Sequence, residues 1–170
     1  MAADFFMVTT RATKKGTLEI YPKFIVKNRS KDLMIRGGDF YAIWLEDEGR
    51  WSLDEQDVID LIDRELDLYF EQHKDRLQGA KVLHLWDAET GMIDTWHKFC
   101  QKQMRDSFHT LDEKIIFSNS EINKKDYASR RLSYPLQDGK CESYDKLMSV
   151  LYSPEERMKL EWAIGSIVCG

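Results

Sequence analysis

The chain has 170 residues, 42% apolar and 32% charged, and its 25 basic and 30 acidic residues leave a formal charge of −5. That length buries enough surface to fold without disulfides or metals, and the acidic average excludes a strongly basic nucleic-acid coat while leaving local patches open. Apolar runs are too short to cross a membrane, and Cys100, Cys141 and Cys169 lack C-x-x-C spacing, which reads as reduced thiols in a cytosolic protein with no membrane partner.

The charge is laid out unevenly. Residues 1–30 hold six basic and two acidic side chains, 31–80 six and fourteen, and 81–170 thirteen and fourteen. The second segment is therefore the acidic one.

The first fifty residues carry strand grammar. Leu18, Ile20 and Tyr21 lead through Pro22, an edge-type residue, into Phe24, Ile25 and Val26. Leu33–Arg36 and Phe40–Leu45 flank the turn Gly37-Gly38-Asp39, and Glu46–Gly49 turns the chain back to Trp51. These pieces predict an antiparallel meander of three or four strands. Ser52 with Glu55 forms a capping-box pattern, and Val58, Leu61, Ile62, Leu66 and Tyr69 form an i, i+3, i+4 stripe, so a helix is predicted over about 53–75. Most of the acidic segment then falls on its solvated face.

Val82–Trp86 reads as a strand or the start of a buried helix. Ile93, Trp96, His97, Phe99, Cys100 and Met104 predict a second helix, and Leu132–Leu136 predicts extended chain because Tyr134 precedes Pro135. Tyr144, Leu147, Met148 and Leu151 predict a short amphipathic helix. Ser153-Pro154-Glu155-Glu156 opens the last one, whose stripe is Leu160, Ala163, Ile164, Ile167 and Val168. That stripe is still apolar at Cys169-Gly170, a pattern expected of a chain that continues. The expected fold is α+β: residues 1–80 as a small antiparallel sheet with a packed helix, and residues 81–170 as a mainly helical region.

No catalytic motif is present. A phosphate-binding loop needs GxxxxGK[ST], and the paired glycines Gly37-Gly38 fit a turn instead. His73, His84, His97 and His109 are too evenly spread to predict a metal site. Asp60, Asp63 and Asp67 share a helix face where carboxylates could hold magnesium, but a solvated face explains them as well. Cys100 with His97 has nucleophile spacing, although a buried thiol fits the stripe better. One basic constellation stands out, Lys124-Lys125 and Arg130-Arg131 flanking Tyr127. Clustered cations grip phosphates and aromatics stack bases, so this segment is the candidate DNA contact.

Several blocks carry a resemblance. They are Lys31-Asp32-Leu33-Met34-Ile35-Arg36-Gly37-Gly38-Asp39-Phe40-Tyr41-Ala42-Ile43-Trp44, Trp51-Ser52 with Asp54-Glu55, Arg130-Arg131-Leu132-Ser133-Tyr134-Pro135-Leu136, and Leu151-Tyr152-Ser153-Pro154-Glu155-Glu156-Arg157 running into Glu161-Trp162-Ala163-Ile164-Gly165. Together they resemble the region preceding the ATPase core of phage and plasmid replicative DNA helicases of superfamily three, the primase/helicase group that includes the poxvirus enzyme. The last block is the most specific.

The resemblance implies a non-catalytic accessory domain that contacts single-stranded or forked DNA, assists ring assembly or docks other replication proteins in a host cytoplasm. Lys124, Lys125, Tyr127, Arg130 and Arg131 suit the DNA contact. Leu160, Ala163, Ile164, Ile167 and Val168 suit self-association or packing against an ATPase domain. ATP and magnesium belong to that ATPase core, and no cofactor is expected on this chain. The alternative is a small phage-encoded interaction module whose acidic 46–67 face binds a host or replication protein.

Overall fold

The structure is a computed structural model that describes residues 3–26, 30–103 and 107–169, with the side chains of Val168 and Cys169, like Met104, outside the described residues. The chain divides into two compact units, Met1–Lys114 with Ile122–Arg130 and Ile115–Glu121 with Arg131–Gly170. The fold is α+β, with strands confined to the first half and helices continuing through the second.

In the first unit β1 (Phe6–Ala12) pairs antiparallel with β2 (Leu18–Phe24), and β3 (Leu33–Arg36), β4 (Asp39–Leu45) and β5 (Arg50–Ser52) form the expected meander. The predicted single meander is thus two three-stranded sheets, and β1 was not anticipated. Gly37 and Gly38, at φ +64° and +90°, make the two-residue turn between β3 and β4 that only glycine enters without strain.

Helix α1 (Glu55–Gln72) packs on β1, β2 and β4 and also on β6 (Lys81–Val82), which joins β2 in parallel. Pro22 lies in the middle strand of that sheet, but β6 pairs only at Glu19 and Ile20, so no ladder bond is lost at the proline. Val58, Ile62 and Leu66 are fully buried and α2 (Met92–Lys102) adds Trp96, Phe99 and Cys100 to the same core. Burial of aliphatic side chains of this kind contributes about 2 kcal/mol each.

The helix start differs from the capping-box expectation. Ser52 belongs to β5, where its hydroxyl donates to Asp57 and accepts from Asp54 N–H, and Asp54 is the cap, accepting from Gln56 N–H at 2.9 Å. Two acceptors compete two residues apart, and the sheet claims the serine. Glu55 is thereby free to accept from the Trp96 indole at 2.7 Å.

Asp63 departs from the solvated face assigned to it. It is buried, and its two oxygens accept from Leu85 N–H at 2.7 Å and Trp86 N–H at 3.1 Å, clamping the chain just after β6 onto α1. Burial raises its carboxyl above the ordinary range, and the two amide bonds offset this only in part. Asp63→Asn leaves one amide facing an NH2 group and is expected to cost about 1–3 kcal/mol. Because the native carboxyl holds its proton more tightly than the unfolded one, its contribution is largest below about pH 4 and declines as pH rises through the raised native value. The stability gap between wild type and Asp63→Asn, read by urea unfolding at several pH values, therefore narrows as pH rises. A gap that widens refutes this account.

In the second unit, α3 (Glu142–Leu151) and α4 (Pro154–Cys169) form a hairpin. Ser153 and Glu156 make the reciprocal cap predicted for α4, with Ser153 N–H donating to Glu156 at 2.9 Å and the two side chains 2.7 Å apart. These bonds hold the Glu156 carboxyl below the usual range. Arg157 ties the helices, reaching Asp145 on α3 at 2.5 Å and Glu161 on its own helix at 2.6 Å. Among the described residues no helix is long and apolar enough to cross a membrane.

Candidate nucleic-acid interface

The outer face of the β3–β5 sheet carries a second apolar cluster of Met34, Ala42, Trp44 and Trp51, partly covered by Tyr41, Leu111 and Tyr127. With Ile35 and Ile43 in the main core, this sheet is buried on both faces. The segment holding the basic constellation closes over that face. Trp51 N–H donates to Ala128 O at 2.8 Å and its indole N–H to Lys124 O at 3.0 Å.

A second loop locks onto the first. Asp112 N–H donates to Tyr127 O at 3.0 Å, the Asp112 carboxylate accepts from Ser129 N–H at 2.7 Å and Arg130 N–H at 3.2 Å, and Lys114 meets Asp126 at 2.9 Å. Asp112 and Tyr127 both hold left-handed backbone, at φ +62° and +47°. Such conformations cost about 1–3 kcal/mol each and persist where surrounding bonds over-determine them.

The five predicted DNA-contact residues are treated differently. Lys124 is half-buried, paired with Asp32 and set over the Trp44 ring at 5.5 Å, so its charge is spent inside the fold. Tyr127 lies parallel to Trp51 at 5.9 Å and to His109 at 3.8 Å, with both neighbours already stacked on it. Lys125 and Arg130 are exposed, and neither side chain forms an ion pair with a carboxylate among the described residues. Arg131 belongs to the other unit, where its guanidinium donates to Phe117 O at 3.3 Å and Ser118 O at 2.5 Å.

The Trp51–Tyr127–His109 stack runs outward from the sheet to an exposed imidazole. Beside it Phe108 meets Tyr41 edge-on at 5.4 Å, and the exposed Arg36 guanidinium lies 4.9 Å from the Phe108 ring. In sequence Arg36 marks only the end of a strand, His109 is one of four scattered histidines and Phe108 carries no motif, so none of the three is predicted as a contact residue. Their only local signal is a Phe-His pair in a polar stretch.

The predicted assembly residues sit on α4. Leu160 and Ala163 are half-buried, whereas Ile164 and Ile167 face solvent and Trp162, off the stripe, is 75% exposed. From Trp162 to Cys169 the helix carries no charged residue. A helix apolar on every side is normally covered on every side.

The remaining candidates have other engagements. His97 meets Glu55 at 3.1 Å, and burial pushes the Cys100 thiol up to about 12, so it stays protonated and is no nucleophile at neutral pH. Asp60 accepts from Gln56 at 2.8 Å and Asp67 pairs with His84 at 2.8 Å, so the three aspartates have separate partners. No group of metal-ligating side chains is gathered among the described residues. Beside α1, a cavity of about 530 Å³ is rimmed by Glu46, Asp47, Glu48, Asp57, Asp60 and Glu65, opposed by Arg64 and Lys124. Comparison with protein-family models, with curated proteins and with solved structures returned no match.

Proposed function

We propose that the chain is a non-catalytic accessory module of a phage-type superfamily three replicative helicase, acting before its ATPase core in ring assembly and in contact with single-stranded or forked DNA. The observation that carries the reading is α4. The block with the most specific resemblance forms a capped helix whose uncharged second half exposes Trp162, Ile164 and Ile167 on this unit, Trp162 by 75% and Ile167 by 80%. ATP and magnesium are assigned to the ATPase core and to no residue of this chain. Replication proteins are the further partners that this reading implies.

Two measurements test it. Reading the gene beyond codon 170 is expected to reveal GxxxxGK[ST] and an acidic pair after it, and an immediate stop codon overturns the assignment. In sedimentation velocity over a concentration series the chain is expected to self-associate, and Trp162→Glu with Ile167→Glu to return it to monomer at unchanged helix content. A monomer at every concentration removes the assembly half.

The acidic cavity beside α1 favours a second reading, an interaction module whose 46–67 face binds a basic region of a host or replication protein. It expects no DNA binding and a partner whose capture weakens as salt is raised.

A further inference from the structure

The consecutive residues Phe108 and His109 each begin a short stack. The Arg36 guanidinium lies over Phe108 at 4.9 Å and within 5.9 Å of the Tyr41 ring, and His109 lies on Tyr127 at 3.8 Å with the two planes only 4° apart. Both stacks therefore end in a flat, nitrogen-bearing group, and both Arg36 and His109 are exposed. Flat guanidinium and aromatic surfaces are what unpaired bases stack on, because every base has a π-face and sequence does not matter to the contact.

The platform is rigidly backed. Tyr127 rests on Trp51. His109 N–H donates to Met34 Sδ at 3.1 Å, and Ser107 bridges to Ile35 of β3. A backed ring keeps its orientation without ordering cost when a base arrives. Arg36, Lys125 and Arg130 all lie on these same loops and strand ends, and no charged side-chain group of the three pairs with a carboxylate among the described residues. Unpaired cations of this kind hold phosphates.

We propose that Arg36, Phe108 and His109 form a stacking platform for the bases of a single-stranded nucleic acid, with Arg36, Lys125 and Arg130 taking its phosphates. The inference rests on the DNA-contact half of the function proposed above and moves its centre from Lys124–Arg131 to the loop beginning at Phe108. A duplex hides its base faces and binds more weakly than a single strand of equal length.

Fluorescence anisotropy with a labelled oligothymidylate of about fifteen nucleotides tests this at low salt. Phe108→Ala and His109→Ala are each expected to weaken binding roughly tenfold with an unchanged salt slope, and Arg36→Gln to weaken it and flatten the slope by about one. His109→Phe, which keeps a stacking ring, should restore binding, and Lys140→Gln, an exposed lysine of the other unit, should leave it unchanged. An abasic strand of the same length should bind wild type no better than the thymidylate binds His109→Ala. The platform is overturned if wild type binds while the Phe108 and His109 variants match it, or if the abasic strand or a duplex binds as tightly. No binding by wild type at low salt overturns both the platform and the DNA-contact half.

Discussion

Trp96→Ala should lower the unfolding free energy by about 4 kcal/mol, with the denaturation midpoint falling by roughly 10 °C or more. Trp96 has no solvent exposure, and four aromatic rings surround it: Phe24 at 5.5 Å, Phe99 at 5.7 Å, Phe5 at 5.8 Å and Phe40 at 6.3 Å. They come from α2, β2, β4 and the lead-in to β1, so the void left by alanine cannot close by moving one element. The truncation also removes the donor that Glu55 uses at the start of α1. Trp96→Phe separates the two contributions, since it refills most of the space but has no N–H to donate to Glu55. It is expected to cost about 1–2 kcal/mol. Against a typical stability of about 5–15 kcal/mol, the alanine variant sits close to the folding threshold. A urea midpoint that barely moves in Trp96→Ala refutes this picture of the core.

Trp51→Ala is expected to cost about 3–5 kcal/mol, but with a different signature. Trp51 is 2% exposed, meets Trp44 edge-on at 5.8 Å, backs Tyr127 and holds Lys124 O through its indole N–H. Its loss should free residues 123–130 and the Asp112 loop bonded to them before the main core opens. Hydrogen exchange should therefore accelerate in 109–114 and 123–130 at denaturant concentrations where β1, β2 and α1 remain protected. Single-strand affinity should fall with it, because the His109 stack loses its backing. Exchange that rises evenly across the chain means that the loops and core form one cooperative unit, contrary to this expectation.

The local parts of this fold were legible and the long-range parts were not. The glycine turn at Gly37-Gly38, the stripe of α1 and the Ser153–Glu156 cap are written within a few residues each, so periodicity and turn chemistry find them. The pairing of β2 with β6 is not, since a two-residue strand has no pattern and its partner lies 62 positions away. Asp63 looked like its neighbours Asp60 and Asp67 because helical spacing places all three on one side. Only the return of the chain at Leu85 and Trp86 distinguishes it.

The candidate site shows the same division. A run of lysine and arginine is visible in sequence, but whether each charge is available depends on distant carboxylates, and Asp32 lies 92 residues from the lysine it neutralises. The platform residues Arg36 and Phe108 are 72 positions apart and carry no joint signal. Sequence located the segment, and the ion pairs and stacks decide which of its side chains face outward.

The clamp of Asp63 on the chain after β6 has a consequence for the order in which the molecule assembles. β6 contributes two residues to its sheet, too few for a ladder to stand before its support, and its amide anchors lie on a carboxylate that is in place only once α1 is docked. The hairpins β1–β2 and β3–β4 close locally and early. The parallel strand β6 must wait for α1, which lies between β2 and β6 in sequence, so the step that completes the first sheet closes a span of 62 residues from Glu19 to Lys81, far longer than that of either hairpin.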